Sequence, residues 1–231
     1  MLIDLNADLG EGAGHDAELM GLVTSVNICC GLHAGSPEVS FAALELAGQR
    51  GVAVGAHPGY DDRAHFGRQE RAVTPSEVWA LCTFQVGGLV GLAQAADTTV
   101  TYVKPHGALY HQVCRDRELA KAVIAVCALY DCAVVGLPGS ALELEAQDTI
   151  PFIAEGFIDR RYQPDGSLVP RTEPEAFVHD PLAAFKQVEW LIRDIGVRTL
   201  CIHGDNPDAL SFAKIVRQAL LDRGYTLQAF T

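Results

Sequence analysis

The sequence lacks the signatures of several common enzyme classes. No Gly-Lys pair occurs anywhere, so the G-x-x-x-x-G-K-[ST] loop that cradles phosphates is absent. The G-x-G-x-x-G dinucleotide fingerprint is missing as well, because Gly10-Glu11-Gly12 offers two glycines and no third in register. There is no G-x-S-x-G elbow, which disfavours a serine hydrolase. Seven cysteines contain no C-x-x-C, and Cys82, Cys127, Cys132 and Cys201 lie in apolar runs, where they read as reduced core thiols. No stretch approaches the roughly 18 continuous apolar residues of a membrane span. The opening Met-Leu-Ile-Asp-Leu-Asn has neither a basic n-region nor a cleavage site, so no signal peptide and a cytoplasmic location are expected. Basic residues are few, 17 against 29 acidic, and the formal net charge of −12 argues against nucleic acid or an anionic membrane as partner.

What is present is an α/β pattern. The 231 residues are 49% hydrophobic and 20% charged, which suits one barrel-sized domain over residues 1–231. Strand-like runs fall at 2–7, 25–29, 52–56, 100–103, 132–136, 151–154, 199–202 and 225–230. Between them lie helical patterns at 15–23, 37–50, 74–95, 117–129, 140–147, 181–195 and 207–223. Ser36-Pro37 reads as a cap with proline at the first helical position, and Thr74 with Glu77 as a capping box. The 74–95 helix is apolar almost all round and is expected to be well covered. No hairpin signal, linker or repeat interrupts the alternation, which calls for a parallel sheet with crossover helices.

The stretch Val-Thr-Tyr-Val-Lys-Pro-His-Gly-Ala-Leu-Tyr, 100–110, is the anchor. Its first half is a buried strand, and Pro105 stops the ladder because it has no N–H to donate. Lys104 and His106 therefore project from the strand's carboxyl end. Five other strands also end in polar residues: Asp8, His33, His57, Glu155, and His203 with Asp205. An open sheet, at about 4.8 Å per strand, spreads six such ends over more than roughly 20 Å. A closed barrel gathers them at one mouth, where the active sites of such barrels lie.

Each candidate also has a bland reading. A lone histidine after a strand commonly hydrogen-bonds its own loop, and that reading is adopted for His15, His65, His111 and His179. Asp8 and Glu11 suit a glycine-rich turn, and Asp205 a helix cap. Repetition at equivalent places singles out His33, His57, His106 and His203. Lys104 is the strongest candidate, since a buried lysine without a partner is costly. Arg160, five residues after Glu155, is expected to reach inward. Asp8, His33 and His57 are ligand types used by Zn, Mn or Mg sites, though their long-range spacing leaves a metal open.

Asp4-Leu-Asn-Ala-Asp-Leu-Gly-Glu11, Asn27-Ile-Cys-Cys-Gly-Leu-His-Ala-Gly35, Gly55-Ala-His-Pro58, Lys104-Pro-His-Gly-Ala-Leu-Tyr110, Glu155-Gly-Phe-Ile-Asp-Arg160 and Ile202-His-Gly-Asp-Asn-Pro207 resemble, in order, the motifs of the LamB/YcsF family. The resemblance spans essentially the whole chain. Cys29, Leu32 and Ser36 replace the family's alanine, phenylalanine and aspartate, Ile158 its alanine, and Glu175-Ala-Phe-Val-His179 its Gly-Ala-Val-Ile segment. The resemblance implies an irregular seven-stranded (β/α) barrel, TIM-like and related to polysaccharide deacetylases. It implies ATP-dependent opening of 5-oxoproline to L-glutamate, with Mg²⁺ accompanying ATP and two partner subunits, B and C. On that reading Asp8, Glu11, His57, Lys104, His106, Glu155 and His203 form the catalytic set, while Asn6, His33, Arg160 and Asp205 bind substrate or phosphate. Two rivals stay open: an ATP-independent metal amidase or deacetylase, and a non-catalytic lactam-binding subunit.

Overall fold

Ile3, Leu5, Ala7 and Leu9 alternate with Asp4, Asn6 and Asp8 along the first strand, β1 (Leu2–Leu9), and all seven are buried. A strand buried on both faces with apolar and polar residues in alternation must have two chemically different sides. The computed structural model, which describes residues 1–164, 166–178, 180–204 and 209–230, shows why. β1 is one stave of a closed, all-parallel, seven-stranded barrel. Its apolar residues face a helical jacket and its polar residues face the barrel interior.

The barrel continues through β2 (Ser25–Cys29), β3 (Ala53–His57), β4 (Val100–Val103), β5 (Ala133–Gly136), β6 (Phe152–Phe157) and β7 (Thr199–Ile202). It closes where β1 pairs with β2 on one side, Asn6 opposite Ser25, and with β7 on the other, Asp4 opposite Thr199. A two-residue β8 (Thr226–Leu227) adds to the start of β1 at Leu2 and Ile3, much shorter than the 225–230 strand expected from sequence.

The jacket comprises α1 (Asp16–Met20), α2 (Pro37–Arg50), α3 (Pro75–Ala95), α4 (Gly107–Arg115), α5 (Arg117–Leu129), α6 (Ala141–Ala146), α7 (Pro181–Trp190) and α8 (Ala209–Asp222). Ser36 caps α2 by accepting from the Val39 amide, and Thr74 with Glu77 completes the anticipated box on α3. α7 runs on into a π-helical turn, Leu191–Ile195. α3 is long and apolar enough to cross a membrane by length and composition. In this fold it packs Val78, Cys82, Val86 and Leu89 inward against α5 and α2, while Trp79 and Phe84 stay exposed. The expectation that it is covered all round therefore holds for one face only.

The main apolar core lies between barrel and jacket. Inside the barrel, Tyr102, Val135 and Ile153 fill the lower part. Gly55 on β3 leaves the space that the Tyr102 ring occupies: a Cβ there would sit 2.1 Å from the ring. The Tyr102 hydroxyl donates to the Val26 carbonyl, 2.9 Å, which pins the ring in place. Gly55→Ala is expected to lower stability by about 1–3 kcal/mol in urea unfolding through overpacking. Combining it with Tyr102→Leu should cost less than the sum of the two, because both act on one volume.

Candidate functional site

The polar sides of β1, β2, β6 and β7 meet at a lysine. Lys104, directly after β4, is 2% exposed. Its Nζ lies 2.9 Å from Asp8 Oδ1 and 2.9 Å from Glu155 Oε1. It also donates to Cys201 Sγ at 2.9 Å and Asn6 Oδ1 at 3.5 Å. Asn27 Nδ2 ties Asn6 Oδ1 (2.7 Å) to Asp8 Oδ1 (2.8 Å), and Asn6 Nδ2 reaches Thr199 Oγ1 (2.6 Å) and Glu155 Oε1 (3.3 Å). Beneath them Asp4 accepts from the hydroxyls of Thr24, Ser25 and Thr199, which braces the floor.

These contacts push the two carboxyls apart. Burial alone raises Asp8, but the imidazole of His57 and the ammonium of Lys104 overcome it and hold the group well below the usual carboxylate range. Glu155 goes the other way: burial, with Asp8 adding to it, raises the group despite Lys104. Lys104 itself is pushed down by burial, yet its acidic neighbours, Asp8 foremost, hold the ammonium well above its ordinary value. The site thus has a fixed cation, a fixed anion and a carboxyl inclined to hold a proton, the separation that acid–base chemistry needs. Glu155 Oε2 and the neighbouring Tyr110 hydroxyl are buried, and neither completes a hydrogen bond.

A second cluster adjoins the first. His57 Nδ1 is 2.7 Å from the Lys104 carbonyl oxygen and His106 Nε2 is 2.7 Å from that of Phe66. A carbonyl accepts only, so each of these nitrogens carries the hydrogen, and His57 Nε2 and His106 Nδ1 are bare when both rings are neutral. Those two bare nitrogens face each other at 3.0 Å. Burial holds both rings below the usual histidine range, which favours the neutral form. Glu11 Oε1 lies 3.5 Å from His106 Nδ1, 3.9 Å from His57 Nε2 and 3.1 Å from His33 Nε2. His33 stacks on His106 with ring centroids 3.7 Å apart. Glu11, His33, His57 and His106 therefore present four donor atoms within 4.8 Å of one another, a set that fits a divalent transition metal. Asp8 stands at the edge of this group, its Oδ2 3.5 Å from His57 Nε2. The ligand trio read from the sequence, Asp8, His33 and His57, thus gains Glu11 and His106.

His203 follows β7 and is oriented by a residue that the sequence reading passed over. Its Nδ1 lies 2.9 and 3.0 Å from the two oxygens of buried Asp159. Burial raises Asp159, but His203, through its charge and its hydrogen bond, together with Arg171 and Arg160 more than offsets this and holds the group below its ordinary value. Arg160 is buried, as expected, but its guanidinium donates to the carbonyls of Val169 and Ala176 and so also braces the loop over the mouth. Asp205 and His179 lie outside the described residues. Of the histidines set aside, His65 pairs with Asp62 near the surface and His15 precedes α1. His111 lines the mouth instead.

Besides Asp159, the sequence reading missed Asn27 and Cys201. Strand parity could have found both: Ser25, Asn27 and Cys29 share the inner face of β2, and Thr199 and Cys201 that of β7. Above Lys104 a recess of about 30 Å³, bordered by Asp8, His57, His106, Phe157 and His203, has room for the reacting atoms of a substrate. Arg68, Gly107, His111, Arg160, Leu168 and Arg171 border both this recess and a neighbouring cleft of about 610 Å³.

The sequence profile of the LamB/YcsF family matches residues 3–231. Relatives include the 5-oxoprolinase A subunit of Methylococcus capsulatus, 45% identical over 98% of this chain and 95% of that protein. The protein of the same name from Thermus thermophilus is 42% identical over 100% of both. Among solved structures, the lactam utilization protein from Thermus thermophilus superposes with a TM-score of 0.90 at 40% identity, covering 100% of both chains. A family 4 carbohydrate esterase from Streptomyces lividans, with a TM-score of 0.58 and 10% identity over 100% of this chain and 93% of that one, shares the fold alone.

Proposed function

The chain belongs to the LamB/YcsF family, and from that premise we propose that it opens the lactam ring of 5-oxoproline to L-glutamate, with ATP hydrolysed and with partner subunits B and C in the complex. The observation that carries this reading is Lys104, held between an ionised Asp8 and an elevated Glu155 at the floor of the mouth. A lactam is a stable amide, so its opening has to be driven. Transfer of the γ-phosphoryl group to the lactam oxygen makes the ring carbon electrophilic; water adds there, the C–N bond breaks to leave an acyl phosphate, and a second water releases phosphate and L-glutamate.

In that scheme Lys104 balances the charge that gathers on the transferred phosphoryl group and the ring oxygen. Asp8 receives the proton of the attacking water. His203, its tautomer fixed by Asp159, delivers a proton to the departing ring nitrogen through Nε2. Glu155, with its unsatisfied Oε2 beside the Tyr110 hydroxyl, meets the polar edge of the substrate. Glu11, His57 and His106, with His33 beside them, would hold a divalent ion, which would supply Lewis-acid polarisation of a water or carbonyl oxygen.

The test is glutamate release from 5-oxoproline by this chain together with its partners, with and without ATP. Release that requires both this chain and ATP supports the reading, and release by the partners alone removes it. The facing lone pairs of His57 and His106 favour one other reading, an amidase that uses a metal and no ATP. It predicts about one transition-metal ion per purified chain, lost in Glu11→Gln and His106→Ala variants, together with ATP-independent release.

A further inference from the structure

We propose that Tyr110 and Glu155 select the substrate by reading the amide edge of its ring; this rests on the lactam reading above. The Tyr110 hydroxyl donates to the ring oxygen, and Glu155 Oε2 accepts from the ring N–H. Native interiors leave few buried polar atoms without a partner, so two of them side by side at a cavity wall mark a place that a ligand completes. Among the described residues, the Tyr110 hydroxyl and Glu155 Oε2 are such neighbours. Tyr110 borders the recess above Lys104 and lies in the first turn of α4, directly after Lys104 and His106.

The surroundings leave these two atoms for a ligand. Lys104 Nζ at 2.9 Å and Asn6 Nδ2 at 3.3 Å both occupy Glu155 Oε1, so Oε2 is the free oxygen of that buried carboxyl. Other tyrosines use their hydroxyls inside the protein. Tyr60 donates to Gln112 (2.9 Å), Tyr102 to the Val26 carbonyl (2.9 Å) and Tyr130 to that of Thr83 (3.3 Å), while Tyr162 accepts from the Phe157 amide (2.6 Å). The Tyr110 ring is held edge-on to Phe157, centroids 5.7 Å apart, in a cluster with Leu137, Leu168 and Cys201. Burial, then Glu155, holds its phenol well above the ordinary value, so it keeps the hydrogen it donates.

A donor beside an acceptor fits one kind of amide. In an open chain a secondary amide is trans, with N–H and C=O on opposite sides. A small ring forces the cis form and brings both to one edge, which a phenol beside a carboxylate complements. The arrangement also leaves the reacting groups clear. The ring oxygen has two in-plane lone pairs: the one on the N–H side goes to Tyr110, and the other stays open for phosphoryl transfer. The N–H lies in the ring plane, which leaves the nitrogen lone pair, perpendicular to it, for the proton from His203. Phe157, stacked on His203 with centroids 5.3 Å apart, borders the same recess and gives the ring a flat wall.

The test is equilibrium dialysis of two probes against the chain alone and against its complex with the partner subunits. The probes are 5-oxoproline and its lactone counterpart, in which a ring oxygen replaces the N–H. The parent is compared with Tyr110→Phe and Glu155→Gln, and thermal melts show whether each variant folds. The parent is expected to prefer the lactam about tenfold or more, because the lactone leaves Oε2 unpaired. Tyr110→Phe should weaken both probes about tenfold and keep their ratio. It deletes only an unpaired hydroxyl, so its melting temperature should equal or exceed the parent's; a merely structural hydroxyl predicts a lower melting temperature and unchanged affinity. In Glu155→Gln, Lys104 holds the amide oxygen and turns the NH₂ toward the ring, so the preference for the lactam should vanish or reverse. A folded Tyr110→Phe that binds 5-oxoproline as the parent does, or a Glu155→Gln that keeps the parent's preference, overturns the proposal. Its failure separates from that of the lactam reading. Glutamate release by Tyr110→Phe at the parent KM for 5-oxoproline sinks the pair alone. Lactam binding weakened by Tyr110→Phe, in a complex that releases no glutamate, sinks the ring-opening reading and leaves the pair. A parent that neither binds 5-oxoproline nor releases glutamate overturns both.

Discussion

Lys104→Met is expected to reduce ATP-dependent glutamate release about 10³-fold and to destabilise the fold by roughly 3–5 kcal/mol. Methionine nearly matches the lysine stem in length, so packing is largely kept and the change is chiefly one of charge. It leaves Asp8 and Glu155 facing each other without the ammonium that lies 2.9 Å from each, and an uncompensated buried charge is costly. The two effects separate in a double variant. Lys104→Met with Glu155→Gln removes one of the stranded charges, so urea unfolding should show part of the stability restored while turnover stays lost. Retained turnover in Lys104→Met would remove this residue from the mechanism.

The pH dependence of that variant has a definite sign. In the parent, Glu155 is already raised by burial, and loss of Lys104 raises it further. A carboxyl whose folded value lies above its unfolded one binds more protons when folded, so stability rises as pH falls through that window. The deficit of Lys104→Met should therefore shrink as pH is lowered from neutrality toward 4.5. Asp8 acts oppositely. Its folded value is depressed, so its contribution is present above about 3.8 and lost as pH falls through the folded value. Removing Lys104 weakens that contribution, which brings the acid limb of the stability curve to higher pH. Urea midpoints measured from about pH 7 to about pH 3 read both limbs.

Much of the site was legible because strand ends are local features. A strand that closes in Lys-Pro-His or Gly-Ala-His announces both its end and the polar cargo there, and six such ends have one economical meeting place. The helix Gly107–Arg115 escaped because it starts directly at that cargo: Gly107 has φ +53° and His106 supplies no side-chain cap, so the usual opening signals are missing. Cys201 escaped for a different reason. Its flanks, Leu200 and Ile202, face the jacket, and an apolar run hides the fact that every second residue points into a polar interior. Asp159 was hidden by distance in sequence: its partner His203 lies 44 residues away, and no local spacing encodes the pair.

Asp159→Asn tests that pair and is expected to lower turnover about 10²-fold or more with little loss of stability. Asp159 only accepts from His203 Nδ1, which fixes the hydrogen there and leaves Nε2 facing the recess. An asparagine of the same shape presents an amide that can donate as well as accept. Donation to Nδ1 reverses the tautomer and puts the fixed hydrogen on Nε2, so the ring can no longer take up and hand on a proton there. A purely structural role for Asp159 predicts instead that turnover falls only in proportion to folded protein, and that Asp159→Asn and Asp159→Ala differ in stability more than in rate. A rate loss shared by Asp159→Asn and His203→Gln, and no greater when the two are combined, would show that they act as one unit.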